Sequence, residues 1–283
     1  MKKIIAMVLT IILALSCFAA CAPAEQTPAT TTAPVADTTA APTEEQTEAP
    51  ETDMSYVKDN GKIIVGITEY EPMDFKDENG EWTGFDAELA RLFAQELGVD
   101  CEFFVLADWG KKFIELDTKN IDCVWNGMTI TDEAKANSSV SDPYVLNAQV
   151  VVMKADQVAQ YTDAESMKEL TFAVEEGSAG QSVATEAGLQ TIAKQDQAGA
   201  LMEVASGTAD ACVIDITMAN AMTGEGTDYA DLAKGINLSE EEYGVSFRKD
   251  SDLTAALNQF LDKLSQDGTL QQLAEKYELT LAE

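Results

Sequence analysis

The chain has 283 residues, 46% of them hydrophobic, enough for one large domain or two of ordinary size around a buried core. Its formal charge of −32, with only 18 basic residues, argues against nucleic acid, because phosphates need Lys and Arg to displace their counterions. The acidic excess reads as surface solubility rather than as selection of a cationic ligand. Histidine is absent, which removes Ser-His-Asp and Cys-His catalysis in their usual forms and every His-based metal site.

Met1-Lys2-Lys3 precedes an uncharged run from Ile4 to Ala20, a positive start and an apolar stretch slightly short for a spanning helix, which needs about 20 residues. Phe18-Ala19-Ala20-Cys21 resembles a bacterial lipobox, with Phe18 where Leu is usual; cleavage would precede Cys21, which would carry the lipid. The plainer alternative is ordinary secretion with cleavage after Ala20. Residues 1–20 are therefore expected to be a lipoprotein signal peptide and the protein to be extracytoplasmic, lipid-anchored to the cell membrane. Residues 21–54 are Thr-, Ala-, Pro- and Glu-rich with no apolar period, so they are expected to be a disordered tether. Cys101, Cys123 and Cys212 remain in the folded part, an odd number that leaves at least one free thiol; Cys101 and Cys123 suit buried small hydrophobes, and no structural disulfide is expected.

Beyond the tether, strands and helices alternate. Lys62–Gly66 is a short apolar strand, and Asp74–Trp82 reads as a hairpin turning at Asp77-Glu78-Asn79-Gly80. The same residues mimic part of a calcium loop, but its first ligand position is Phe75, which has no oxygen to offer; no metal or cofactor is expected. Asp86 is expected to cap a helix with Leu89, Leu92, Phe93 and Leu97 on one face and Gly98 as its stop. Val99–Leu106 is a strand, Trp109–Thr118 a helix with Phe113, Ile114 and Leu116 inward, and Ile121–Trp125 a strand. This β-α-β-α-β order calls for a parallel sheet with helices on its faces.

The strand Ile121–Trp125 ends in Asn126-Gly127, a turn pair, followed by Thr129 and Thr131. In open α/β sheets small ligands bind beyond the strands' carboxyl ends, so this is the expected ligand loop. A second unit follows: strand Leu170–Val174, the turn Glu176–Gly180 into a helix from Gln181, a weak strand Leu189–Ile192, helix Ala198–Ser206, strand Ala209–Ile214 and a helix from Ile216 to Met222. Glu242–Phe247 is the last strand, and helices Ser251–Gln266 and Thr269–Tyr277 end the chain. Two such units joined by Asn147–Met153 and about Asn237–Phe247 suggest two lobes with a small-molecule cleft between them.

Gly84-Phe85-Asp86-Ala87-Glu88-Leu89-Ala90, the run Ile121–Thr131 with Ser141-Asp142-Pro143-Tyr144, Gly207–Ala211 with Asp215, Tyr243–Lys249 and Asp267-Gly268-Thr269 together resemble the family 3 extracellular solute-binding proteins, receptors of polar amino acid ABC importers. The resemblance covers about Ser55 to Leu281. It implies an α/β, two-lobe periplasmic-binding-protein fold, each lobe a mostly parallel sheet flanked by helices, joined by two crossover strands. The first lobe would comprise residues 55–148 and 239–283, and the second 149–238. The implied function is binding of an amino acid or small amine without chemical change and its delivery to an ABC permease in the membrane, as a monomer. Two alternatives stand beside it: a cyclohexadienyl dehydratase-like lyase on the same fold, with Glu69 or Glu71 as general acid, and a tethered ligand sensor.

By the same resemblance Asp215 would receive the ligand's ammonium, a charge-assisted pair; the simpler role is a helix cap for Ile216 onward. Tyr70 and Trp109 would line the side-chain pocket, although Trp109 also suits core packing. Asn126, Gly127 and Thr129 would contact the ligand's polar ends, and Ser178 and Ala179 would offer N–H groups at a helix start. Ala134 stands where the family carries an arginine for the ligand's α-carboxylate. That carboxylate would then fall to Thr129, Asn126 and Ser178, or to Lys111 or Lys112, or the ligand would not be a free α-amino acid.

Overall fold

The computed structural model describes residues 51–282. The expected signal peptide, Cys21 and the tether up to residue 50 lie outside the described residues.

Each lobe forms around strands apolar enough to be buried on both faces. In chain order the elements are α1 (Asp53–Asn60), β1 (Lys62–Ile67), β2 (Phe75–Lys76), β3 (Trp82–Thr83), α2 (Phe85–Leu97), β4 (Asp100–Val105), α3 (Lys112–Asp117), β5 (Cys123–Val124), α4 (Asp132–Asn137), β6 (Ser139–Val140) and β7 (Val145–Lys154). There follow β8 (Thr171–Glu175), α5 (Ala179–Glu186), β9 (Gln190–Lys194), α6 (Gln197–Ser206), β10 (Ala211–Asp215), α7 (Ile216–Met222), β11 (Leu232–Tyr243), β12 (Ser246–Phe247), α8 (Asp252–Asp267) and α9 (Thr269–Lys276). The first sheet has the order β4-β1-β5-β12-β6 and the second β11-β7-β10-β8-β9. β4, β1 and β5 are parallel, as are β10, β8 and β9, while β12 and β7 run against their neighbours.

The first sheet packs β1 side chains Ile63, Val65 and Ile67 with Phe93 of α2 and Phe260 of α8, whose rings lie 5.4 Å apart. In the second sheet β7 buries both faces: Val151 and Met153 pack with Phe172 and Val213, while Val150 and Val152 belong to the core that holds Leu201 and Val204 of α6. β7 and β11 pair antiparallel from Lys154/Leu232 to Val145/Tyr243. This ribbon edges the second sheet and carries the chain from one sheet to the other and back. No helix among the described residues is long and apolar enough to cross a membrane.

Several expectations are corrected. Asp53 and Met54, expected in the tether, open α1, where Thr52 and Ser55 form a reciprocal capping box that local composition did not suggest. Asp86 does not cap α2; its cap position is Gly84, and the Asp86 carboxylate turns inward. Ile114 is 59% exposed, because the expected helix begins as a 3-10 turn at Trp109–Lys111 and its face rotates before α3. Glu242–Phe247 is not one strand: β11 ends at Tyr243, and β12 begins at Ser246 in the other sheet. Between them Gly244 passes so close to Ile130 that a Cβ would lie 2.9 Å from its side chain.

Arg248, just after β12, ties three parts of the first lobe together. It donates to Asp53 of α1 at 2.9 Å, to the carbonyl of Ile121 at 2.8 Å and to Asp122 at 2.9 Å. Cys101, Cys123 and Cys212 are free thiols. Burial pushes Cys101 up to about 12 and the other two upward as well, so none is poised as a thiolate.

Candidate functional site

A cavity of about 390 Å³ lies between the two sheets. The first lobe lines it with Thr68, Tyr70, Trp109 and the Asn126–Thr129 loop, the second with Glu175, Ser178, Gln197 and Asp215, and the ribbon with Gln149 and Glu241. All eight residues expected at the binding site, Tyr70, Trp109, Asn126, Gly127, Thr129, Ser178, Ala179 and Asp215, fall on its wall. How they serve it differs from residue to residue.

The loop after β5 is held by buried polar groups. Asn126 Oδ1 accepts from the N–H and hydroxyl of Thr68, and its Nδ2 donates to the Thr68 carbonyl and to Asp74 at 2.8 Å. Its amide is thus saturated, and only its backbone is left for a ligand. The Gly127 N–H donates to Asp86 at 2.6 Å, and Tyr144 Oη donates to the same carboxylate at 2.9 Å. This inward role replaces the helix cap expected of Asp86. Burial raises Asp86 to about 7 and raises Asp74 well above the carboxylate range. Gly127 has φ +54°, and a Cβ there would lie 2.6 Å from the Tyr70 ring, so both the turn and the packing need glycine.

Tyr70 reaches across the cleft. Its hydroxyl lies 2.5 Å from Thr217 Oγ1 of α7 and 2.5 Å from Tyr243 Oη of β11, joining first lobe, second lobe and ribbon. Burial raises its pKa well above the usual phenol value, so it stays a neutral hydrogen-bonding group with its ring toward the cavity. Trp109 also lines the cavity, with the Lys112 ammonium 4.7 Å from its ring centre and 4.9 Å from that of Phe113. Lys112 donates to the carbonyls of Trp109 at 3.3 Å and Gly177 at 3.4 Å, and burial lowers its pKa. Lys111 instead pairs at the surface with Asp108.

Asp215 ends β10 and is 3% exposed. Its side chain makes no cap bond to α7. Instead it accepts from Asn147 Nδ2 at 2.5 Å, from Gln149 Nε2 at 2.6 Å and from Gln197 Nε2. The same Asn147 and Gln149 amides donate to Glu241 at 2.6 and 2.8 Å, and Thr129 Oγ1 donates to Glu241 at 2.9 Å. Burial, then the neighbouring Glu241 carboxylate, raises Asp215 to about 8. Glu175, at the end of the adjacent parallel strand, is 4% exposed; its Oε1 is buried with no hydrogen-bond partner, and burial raises its pKa well above the carboxylate range. Among the described residues, none of Asp215, Glu175 and Glu241 forms an ion pair.

Ser178 caps α5, accepting from the Gln181 N–H at 3.1 Å and donating to the Glu175 carbonyl at 2.9 Å, so its hydroxyl serves the turn, while Ala179 opens the helix. Ala134 is buried on the cavity wall, with its N–H held by Thr131 Oγ1 at 3.0 Å. At the cleft's lip Gly110 of the first lobe and Gly177 of the second meet backbone to backbone; a Cβ on Gly177 would lie 2.5 Å from the Gly110 Cα.

Glu175, Gln149, Gln197 and Glu241 were not singled out in the sequence. A signal existed for two of them. Gln149 interrupts the apolar run Ala148–Met153, and Glu175 ends one at a strand's carboxyl end, where a ligand is expected. Gln197 and Glu241 sit in polar segments, and only the fold brings them to Asp215.

The sequence profile of the bacterial extracellular solute-binding proteins, family 3, matches residues 63–280. The chain is 29% identical over 228 residues to the L-cystine-binding protein TcyJ of Escherichia coli K12, covering 79% of this chain and 85% of that protein. It is 30% identical over 224 residues to the lysine/arginine/ornithine-binding periplasmic protein of the same organism, covering 74% and 84%. Among solved structures it resembles AncCDT-1, an ancestral amino acid-binding protein and precursor of cyclohexadienyl dehydratase, with a TM-score of 0.72, 32% identity and coverage of 79% and 98%. A profile match across this much of the chain shows that it belongs to the bacterial extracellular solute-binding proteins, family 3.

Proposed function

We propose that the protein is the extracytoplasmic binding component of an ABC importer, tied to the cell membrane by a lipid on Cys21. It closes its two lobes on an amino acid or related small amine and delivers it to a permease. The observation that carries the reading is Asp215, a buried carboxylate on the cavity wall, fixed by three side-chain amides and lacking a cation among the described residues. A ligand ammonium completes it: desolvated and hydrogen-bonded, the pair is stronger than its counterpart in water. Tyr70 and Trp109 supply the aromatic walls for the ligand's apolar part. The names of the two curated relatives, cystine-binding and lysine/arginine/ornithine-binding, point to the same ligand class.

The lyase reading needs cationic groups for a dicarboxylate substrate. Among the described residues lining the cavity the one such group is Lys112, which is committed to two carbonyls, against carboxylates on Asp215, Glu175 and Glu241. That charge balance favours a receptor for amines.

Thermal-shift screening against the amino acids and small amines tests the proposal. A ligand at 100 times its Kd stabilises the folded state by about 2.7 kcal/mol, a readily measured rise in Tm. Asp215→Ala is expected to abolish the shift while the chain still folds. A variant that binds the same compound with unchanged affinity in calorimetry would remove Asp215 from its assigned role, and turnover of prephenate or arogenate would replace the receptor by a lyase.

A further inference from the structure

The cavity is acidic at more than one point. Asp215 and Glu241 share the Asn147 and Gln149 amides on the ribbon side, and Glu175 stands on the neighbouring strand with an oxygen that nothing in the described chain satisfies. Burying one carboxylate without a cation is unfavourable, and placing further carboxylates near it is more so. A ligand with a single ammonium can answer one of these groups and leaves the other.

The side chains that could receive a ligand carboxylate are spent. The Asn126 amide is saturated by Thr68 and Asp74, and the Ser178 hydroxyl is turned to the Glu175 carbonyl and the Gln181 N–H. Thr129 Oγ1 donates to Glu241. Lys112 is directed to the carbonyls of Trp109 and Gly177 and lies over two aromatic rings. Ala134 offers the wall only a methyl group, since its N–H is already bonded to Thr131. A carboxylate brought here would be desolvated among carboxylates.

We infer that the ligand is a small amine with two cationic ends and no carboxylate, an α,ω-diamine or a guanidino-amine. One end lies between Asp215 and Glu241, the other at Glu175, and the connecting methylenes lie along Tyr70 and Trp109. The inference rests on the amine-binding reading of the same cleft and narrows it. Each cationic end meets a carboxylate acceptor, and the apolar middle meets aromatic surface.

Calorimetry on the full chain with three matched pairs, lysine and cadaverine, ornithine and putrescine, arginine and agmatine, tests it directly. Within each pair the two compounds differ only by the α-carboxylate. The decarboxylated member of the best-bound pair is expected to bind at least about tenfold more tightly than its amino acid. Glu175→Gln keeps the shape of the side chain and is expected to lower affinity for that amine by about tenfold or more. Amino acids binding as tightly as, or more tightly than, their amines would overturn the inference and leave the amine-binding cleft standing. Binding of none of the six would overturn the inference, and the amine-binding cleft falls with it only when the whole thermal-shift screen also finds no ligand. The wild-type comparison needs no variant, so a Glu175→Gln chain that fails to fold does not spare the inference.

Discussion

The closure proposed for the cleft runs through two glycines in contact, and a single methyl group should wedge it open. A Cβ on Gly177 would lie 2.5 Å from the Gly110 Cα and 3.0 Å from its nitrogen. Ordinary carbon–carbon contacts need about 3.5 Å or more, so Gly177→Ala forces the lips apart by about 1 Å. Overpacking of this kind costs about 1–3 kcal/mol, and here the cost falls on the closed state alone. At about 1.4 kcal/mol per decade, ligand affinity should fall by about 5- to 150-fold. Gly177 also has φ +73°, and holding alanine there costs about 1–2 kcal/mol, but in the open and closed states alike. The two effects therefore separate: the first appears in calorimetry with cadaverine or lysine as titrant, the second as a lower Tm without ligand. Gly110→Ala is the control, because its Cβ would stand 3.8 Å from the Gly177 Cα and 3.1 Å from Asp108 Oδ1, the end of a side chain; its affinity should change by less than about threefold. Equal affinities for wild type and Gly177→Ala would refute closure through this contact.

Three further outcomes follow from the same geometry. Burial raises Asp215 from 3.8 to about 8 in the folded chain, so between those values the unfolded chain holds fewer protons and the ligand-free protein loses stability as pH rises, by up to about 1.4 kcal/mol per pH unit per such group. Tm measured from pH 5 to pH 8 should fall, and Asp215→Asn should flatten the slope; a Tm that climbs over this range would contradict the raised value. Ala134→Arg places a guanidinium on the cavity wall and should raise affinity for α-amino acids while lowering it for cadaverine, read by paired titrations; no change in either would put the carboxylate-binding position elsewhere. Arg248→Ala strips Asp122 and Asp53 of their shared cation and should destabilise the fold by about 3–5 kcal/mol in urea unfolding, whereas a loss under 1 kcal/mol would show the pair to be dispensable.

The strand and helix order was legible because apolar runs bounded by glycines and prolines record burial directly, as in β1, β7 and α8. The turn at Asn126-Gly127 was legible because both residue types tolerate positive φ directly after an apolar strand, and Gly127 has φ +54°. What those residues do was less so. Asn126 and Asp86 look in the sequence like a ligand contact and a helix cap, yet both are consumed in holding the loop, because a buried turn must satisfy its own polar groups before it can offer any. The acidic composition reads as solubility, and three of those carboxylates prove to line the cavity. Composition sums charges without placing them, and Glu241 reaches Asp215 only because β11 pairs with β7 and β7 with β10. Local patterns do not carry pairings of such long range.

Both ends of the described chain are fastened to the first lobe: Asp53 is gripped by Arg248, and the N–H of Ala282 donates to the Tyr144 carbonyl at 3.1 Å. The second lobe is joined to the first covalently only through the ribbon. In the function proposed above, a pull on the chain at Thr52 is therefore borne by the first lobe, and movement of the second lobe leaves that attachment undisturbed.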